Sequence, residues 1–128
     1  MEKIDKNRMF AFEDLLVWQK SIDFAEAVIK TIDLFKAPRK HYRIIEQLES
    51  AAISISSNIA EGKGRFSKKE FIHYLYISRG SLFETISLLI LIRRLTWIGE
   101  EKLIELKLMG EEIAKMLNSL IKSVKSNS

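Results

Sequence analysis

A chain of 128 residues with 47% hydrophobic side chains is of single-domain length and carries enough apolar material for a buried core. Without a cysteine it forms neither disulfides nor thiolate metal sites, so packing or association has to stabilise it. A formal net charge of +4 and a pI near 9.3 favour acidic partners without specifying one.

The charged opening, Met1 to Arg8, lacks the apolar run of a secretory signal. The longest strongly apolar stretch, Ile86 to Ile92, is far shorter than the roughly 20 residues of a membrane span, and Arg93 and Arg94 follow it. A cytoplasmic protein with no membrane partner is the expectation. Residues 1–11 are expected to form a flexible N-terminal segment and residues 125–128 a frayed tail.

Between these ends, glycine and the one proline punctuate long periodic segments. Breaks at Lys36–Lys40, Gly62–Phe66 and Trp97–Gly99 leave helices over about 14–35, 42–61, 67–96 and 100–124. The first has a three-four spaced stripe of Leu15, Trp18, Ile22, Ala25, Ile29 and Ile32. The second repeats the spacing with Ile45, Leu48, Ala52, Ile55 and Ile59. Ser67, with Glu70 three residues on, is the start signal of the third. The fourth carries Leu103, Leu106, Gly110, Ile113, Leu117, Leu120 and Val124. Short connections make neighbours antiparallel, so the predicted fold is all-α, an up-down-up-down four-helix bundle filling residues 12–124.

The third helix is apolar on every side between Ile86 and Ile92, interrupted only by Ser87. A monomer of this size has too little surface to cover all of it. Leu88, Ile90, Leu91 and Ile92 are therefore the predicted interface of a homo-oligomer. In the second helix, Gln47, Ser54, Asn58 and Glu61 share a face. Folding about Gly64 sets Gln47 level with Ser81 and Glu84, which predicts a register-fixing network around a partly buried carboxylate.

Complete catalytic or metal constellations are missing from the sequence. Glu70 and His73 make one Glu-x-x-His element, whereas a di-iron bundle needs two and further glutamates. Glu46 and Glu49 have no acidic partner motif for magnesium, and Gly62-Lys63-Gly64 lacks the ending and preceding strand of a phosphate loop. Arg65 and His73 are eight apart, outside the five-to-seven spacing of HEPN-type ribonucleases. The expectation is a non-enzymatic protein with no cofactor and no metal.

Basic residues gather at both ends of the predicted bundle. Lys63, Arg65, Lys68 and Lys69 at one end, with Lys122 and Lys125 beside them, and Arg39 and Lys40 at the other, are candidate phosphate contacts for RNA or DNA. Phe66 and Tyr42 are the aromatic residues near them that have a face for base stacking.

These pieces resemble a bacterial family, the four-helix bundle proteins encoded in intervening sequences of 23S rRNA genes. Phe12-Glu13-Asp14-Leu15 with Val17-Trp18-Gln19-Lys20 is similar to the family's opening. Gln47, Ala51-Ala52, Ser54-Ile55 and Asn58-Ile59-Ala60-Glu61-Gly62 are similar to its central signature, and Gly80-Ser81-Leu82 with Glu84 to its third-helix motif. The resemblance spans about Phe12 to Leu120. It implies a bundle subunit, a homopentamer and no known catalysis, with an architectural likeness to the nucleic-acid-associated accessory protein of diversity-generating retroelements. Glu49-Ser50 follows Gln47 where the family commonly has basic residues, which shifts the expected contact from the second helix to the loop lysines. Ser56 stands where proline is frequent, so the second helix should be straighter. Two alternatives remain at this point: a scaffold for another protein, and a cryptic nuclease or metalloenzyme using His73, Glu70 and Glu84.

Overall fold

The computed structural model describes residues 10–38 and 41–127. Its elements are a single-turn 3-10 helix, Ala11–Asp14, and helices α1 (Leu16–Ile32), α2 (Tyr42–Lys63), α3 (Lys68–Arg94) and α4 (Glu100–Ser126). Contacts join α1 to α2, α2 to α3, α3 to α4 and α4 back to α1, the square arrangement of an antiparallel four-helix bundle. Its core holds Phe24 and Val28 of α1, Leu48, Ile55 and Ile59 of α2, Leu75, Leu82, Leu89 and Ile92 of α3, and Leu106, Ile113 and Leu117 of α4.

The predicted stripe of α1 is rotated from the one that is buried. Val17, Ser21, Phe24, Ala25, Val28 and Thr31 face the core, while Ile22 and Ile29 are exposed. Two hydroxyls disguise the true stripe. Ser21 Oγ donates to the Val17 carbonyl and Thr31 Oγ1 to that of Ala27, each at 2.7 Å, so neither enters the core with an unmet hydrogen bond.

The expected boundaries also shift, for local reasons. Phe10 and Ala11, placed in the flexible segment, belong to a tethered turn: Glu13 Oε2 accepts the Phe10 N–H at 2.9 Å, and the Phe12 ring meets Trp18 edge-on at 5.0 Å. Helix α1 ends three residues before Phe35 because the Lys36 N–H is drawn to the Trp97 carbonyl at 3.1 Å and Phe35 packs beside Trp97. At the other terminus α4 runs through Ser126, and Lys125 and Ser126 are helical rather than frayed.

Helices α2 and α3 approach closely because their facing side chains are small. Ser78 Oγ donates to the Ile55 carbonyl at 2.8 Å across the pair. At Gly62 a Cβ would lie 2.6 Å from the Tyr74 Cβ, so glycine is what lets the helices converge. Ser67 caps α3 by accepting the Glu70 N–H at 3.1 Å.

The α3–α4 turn is a Schellman motif. Trp97 N–H bonds the Ile92 carbonyl at 3.1 Å and Thr96 N–H that of Arg93 at 2.9 Å. Thr96 holds the left-handed position, φ 63°, at a cost of about 1–2 kcal/mol relative to glycine. Buried Trp97 and Ile98 lock this end of the core. By length and mean hydropathy α3 would pass as a membrane span. One stripe of it, Leu75, Ser78, Leu82, Thr85, Leu89 and Ile92, is buried within the bundle.

Candidate functional site

The antiparallel order brings the C-terminal turns of α2 and α4 and the first turn of α3 to one end of the bundle, and with them the basic residues. Lys63, Arg65, Lys68, Lys69, Lys122 and Lys125 are all exposed there. They divide into two groups. Arg65 is already engaged, its Nη2 donating to Glu61 Oε1 at 2.8 Å and to the Tyr74 hydroxyl at 2.6 Å, while Lys63 Nζ lies 5.6 Å from the Phe71 ring centre. Lys68 and Lys69 instead line a hollow shared with Ile72, Val124 and Lys125. A second hollow, also bordered by Lys125, continues along α3 and α4 past Tyr76, Arg79, Asn118 and Lys122. Among the described residues no carboxylate lines either hollow. Phe66, in the loop between Arg65 and Lys68, is fully exposed. Arg39 and Lys40, the candidates at the opposite end, lie outside the described residues. Sequence reasoning missed Arg79 and Asn118; the signal for Arg79 was a cation one helical turn from both Tyr76 and Phe83.

The polar residues between α2 and α3 meet, but not around a buried carboxylate. Ser54 Oγ accepts from Ser81 Oγ at 2.9 Å and from Asn58 Nδ2 at 2.8 Å. Gln47 Nε2 donates to Glu84 Oε2 at 3.2 Å, and both residues are exposed. Glu61 is exposed too and pairs with Arg65. The network is hydroxyl- and amide-based because its carboxylates project at the helix edges, where water solvates them.

The four predicted interface residues separate by face. Ile92 is fully buried and Leu88 half-buried against the core, so Ile92 is a core residue and unavailable to a partner. Ile90 and Leu91 are exposed. The helical period continues the Ile90 face through Ile86 and Phe83, which border a groove of about 490 Å³ against Lys107, Gly110, Glu111 and Ala114 of α4. Phe83 is 51% exposed, and Ile104 and Leu108 extend the apolar surface along α4. Gly80, also on the outside of α3, has nothing within 4 Å of where a Cβ would stand. No group of three or more His, Asp or Glu residues suited to a metal occurs among the described residues, and His73 meets Tyr74 edge-on.

Residues 13–119 match the family model for the 23S rRNA-intervening sequence protein. The chain belongs to that family. A crystal structure of a protein of unknown function from the S23 ribosomal protein family, from Bacteroides thetaiotaomicron, is similar to it with a TM-score of 0.77 and 29% identity, over 84% of this chain and 99% of that one. No curated protein matches the chain. In this intervening-sequence protein the connections between helices are short, so its exposed charged and apolar groups lie at the helix ends and on the outer faces of α3 and α4.

Proposed function

We propose that this intervening-sequence protein is a non-enzymatic homo-oligomer, a pentamer on the family resemblance, that binds RNA or DNA through phosphate contacts at the basic end of each subunit. The observation that carries the binding is the pair of adjoining hollows lined by Lys68, Lys69, Lys122, Lys125 and Arg79 without a carboxylate, next to an exposed Phe66. Lysines draw in a polyanion by releasing its condensed counterions, and an exposed ring offers a face on which an unpaired base stacks. The family name links its members to 23S rRNA intervening sequences, which agrees with a nucleic-acid partner.

Assembly is supported by Phe83 and Ile90, which a lone bundle leaves exposed on either side of the half-buried Ile86. Gly80 adds to this. A mid-helix glycine costs roughly 1 kcal/mol relative to alanine, and nothing in the subunit requires one there. Repetition of the basic end around a ring multiplies weak phosphate contacts into useful avidity.

The test is binding of a labelled RNA hairpin and of duplex DNA across a salt series. The expected result is an affinity that falls log-linearly with salt, with a slope of about −0.9 per phosphate contacted on duplex DNA and about −0.7 on single strands. Absence of binding to both at low salt removes the nucleic-acid reading and leaves a protein scaffold as the function to pursue.

A further inference from the structure

One hollow at the basic end is a shallow cleft of about 460 Å³ that opens widely to solvent. Its walls are Tyr76 and Arg79 of α3 and Asn118, Ile121, Lys122, Lys125 and Ser126 of α4. Ile121 is nearly fully buried and makes an apolar floor. Every polar side chain on the walls can donate a hydrogen bond. Arg79, Lys122 and Lys125 carry three positive charges, and among the described residues no Asp or Glu borders the cleft.

Two details set this cleft apart from a solvated basic patch. The Nε of Arg79 is buried and has no hydrogen-bond partner, while the guanidinium carbon lies 5.0 Å from the Phe83 ring centre, which holds the group in place. Lys125 Nζ donates to the Tyr76 hydroxyl at 2.9 Å, tying the α4 cation to α3 across the mouth. Positioned cations without a counter-charge repel one another, and an anion entering the cleft relieves that repulsion.

We propose that this α3–α4 cleft binds a phosphate group, with Arg79, Lys122 and Lys125 as its charged ligands and Asn118 and Tyr76 as further donors. A tetrahedral phosphate turns several oxygens outward and accepts from both helices at once, whereas a carboxylate has two oxygens in one plane. The source is either a polynucleotide, in which case the inference rests on the nucleic-acid reading above and gives it a defined seat, or a free phosphate or mononucleotide. In both, the phosphate bridges α3 to α4.

The experiment is an NMR titration of the ¹⁵N-labelled full chain with inorganic phosphate, with adenosine monophosphate, and with sodium chloride at matched ionic strength. Saturable shifts confined to the amides around 76–79 and 118–126, produced by phosphate and not by chloride, are expected. Arg79→Gln and Lys122→Gln should each weaken the phosphate by about tenfold through loss of a charge-assisted hydrogen bond. Lys122 is exposed, so its variant keeps the test valid should Arg79→Gln disturb packing. Lys30→Gln, on α1, should change nothing. Shifts that chloride reproduces, or phosphate affinity unchanged in Lys122→Gln, overturn the proposal. Saturable phosphate binding in a protein that ignores RNA and DNA keeps the cleft and refutes the polynucleotide source. Nucleic-acid binding with a flat phosphate titration does the reverse.

Discussion

Phe24→Ala is expected to cost about 3–5 kcal/mol of folding stability, while Ile22→Ala, two residues away, should cost less than about 1 kcal/mol. Phe24 is completely buried and Ile22 is 41% exposed. Truncating the phenylalanine removes its transfer free energy and leaves a cavity among rigidly packed neighbours, whereas the isoleucine loses only part of an already wet surface. Small domains have roughly 5–15 kcal/mol in total, so the first variant should approach unfolding at ordinary temperature. Urea denaturation followed by circular dichroism measures both. Equal losses, or a larger loss at Ile22, would mean that α1 is rotated from the orientation described.

The second large effect concerns binding. Lys68→Gln with Lys69→Gln should reduce affinity for RNA or DNA on the order of fiftyfold at 0.1 M salt, because each lost phosphate contact removes about 0.9 from the duplex salt slope. The matched control is Lys30→Gln with Lys115→Gln. Those two lysines are exposed on the sides of the bundle, pairing with Glu26 at 3.6 Å and Glu111 at 3.2 Å. Exposed pairs of that kind contribute little to stability, so both double variants should fold. Similar losses in the two would show that net charge alone attracts the polyanion, with no preference for the basic end.

The contrast within α1 marks where the sequence was legible. Helices α2 and α4 carry mostly Leu, Ile and Ala at core spacing, and their predicted stripes are nearly the buried ones, with Ala51, Ser56 and Gly62 joining α2 and Ile121 joining α4. In α1 the core positions include Ser21 and Thr31, which periodicity scores as polar. Only the i−4 carbonyl bonds reveal how they are accommodated. Helix α3 differs: between Ile86 and Ile92 it is apolar on every side and gives no preferred face, so spacing does not separate the buried Ile92 from the predicted interface residues. The basic end was legible because helix order fixes which termini meet. Its subdivision was not, since the partners of Arg65 and the burial of Arg79 Nε depend on side-chain directions that spacing does not encode.

The proposed self-association is central, because it would turn one modest basic cleft into a repeated surface and cover Phe83 and Ile90. The direct test is the mass of the purified protein in solution by multi-angle light scattering, alongside Phe83→Glu with Ile90→Glu. A mass several times the 14.9 kDa of one chain, about fivefold for the pentamer that the family resemblance implies, is expected, with the double variant reduced to a helical monomer. A mass of 14.9 kDa for the unaltered protein across the micromolar range would contradict it.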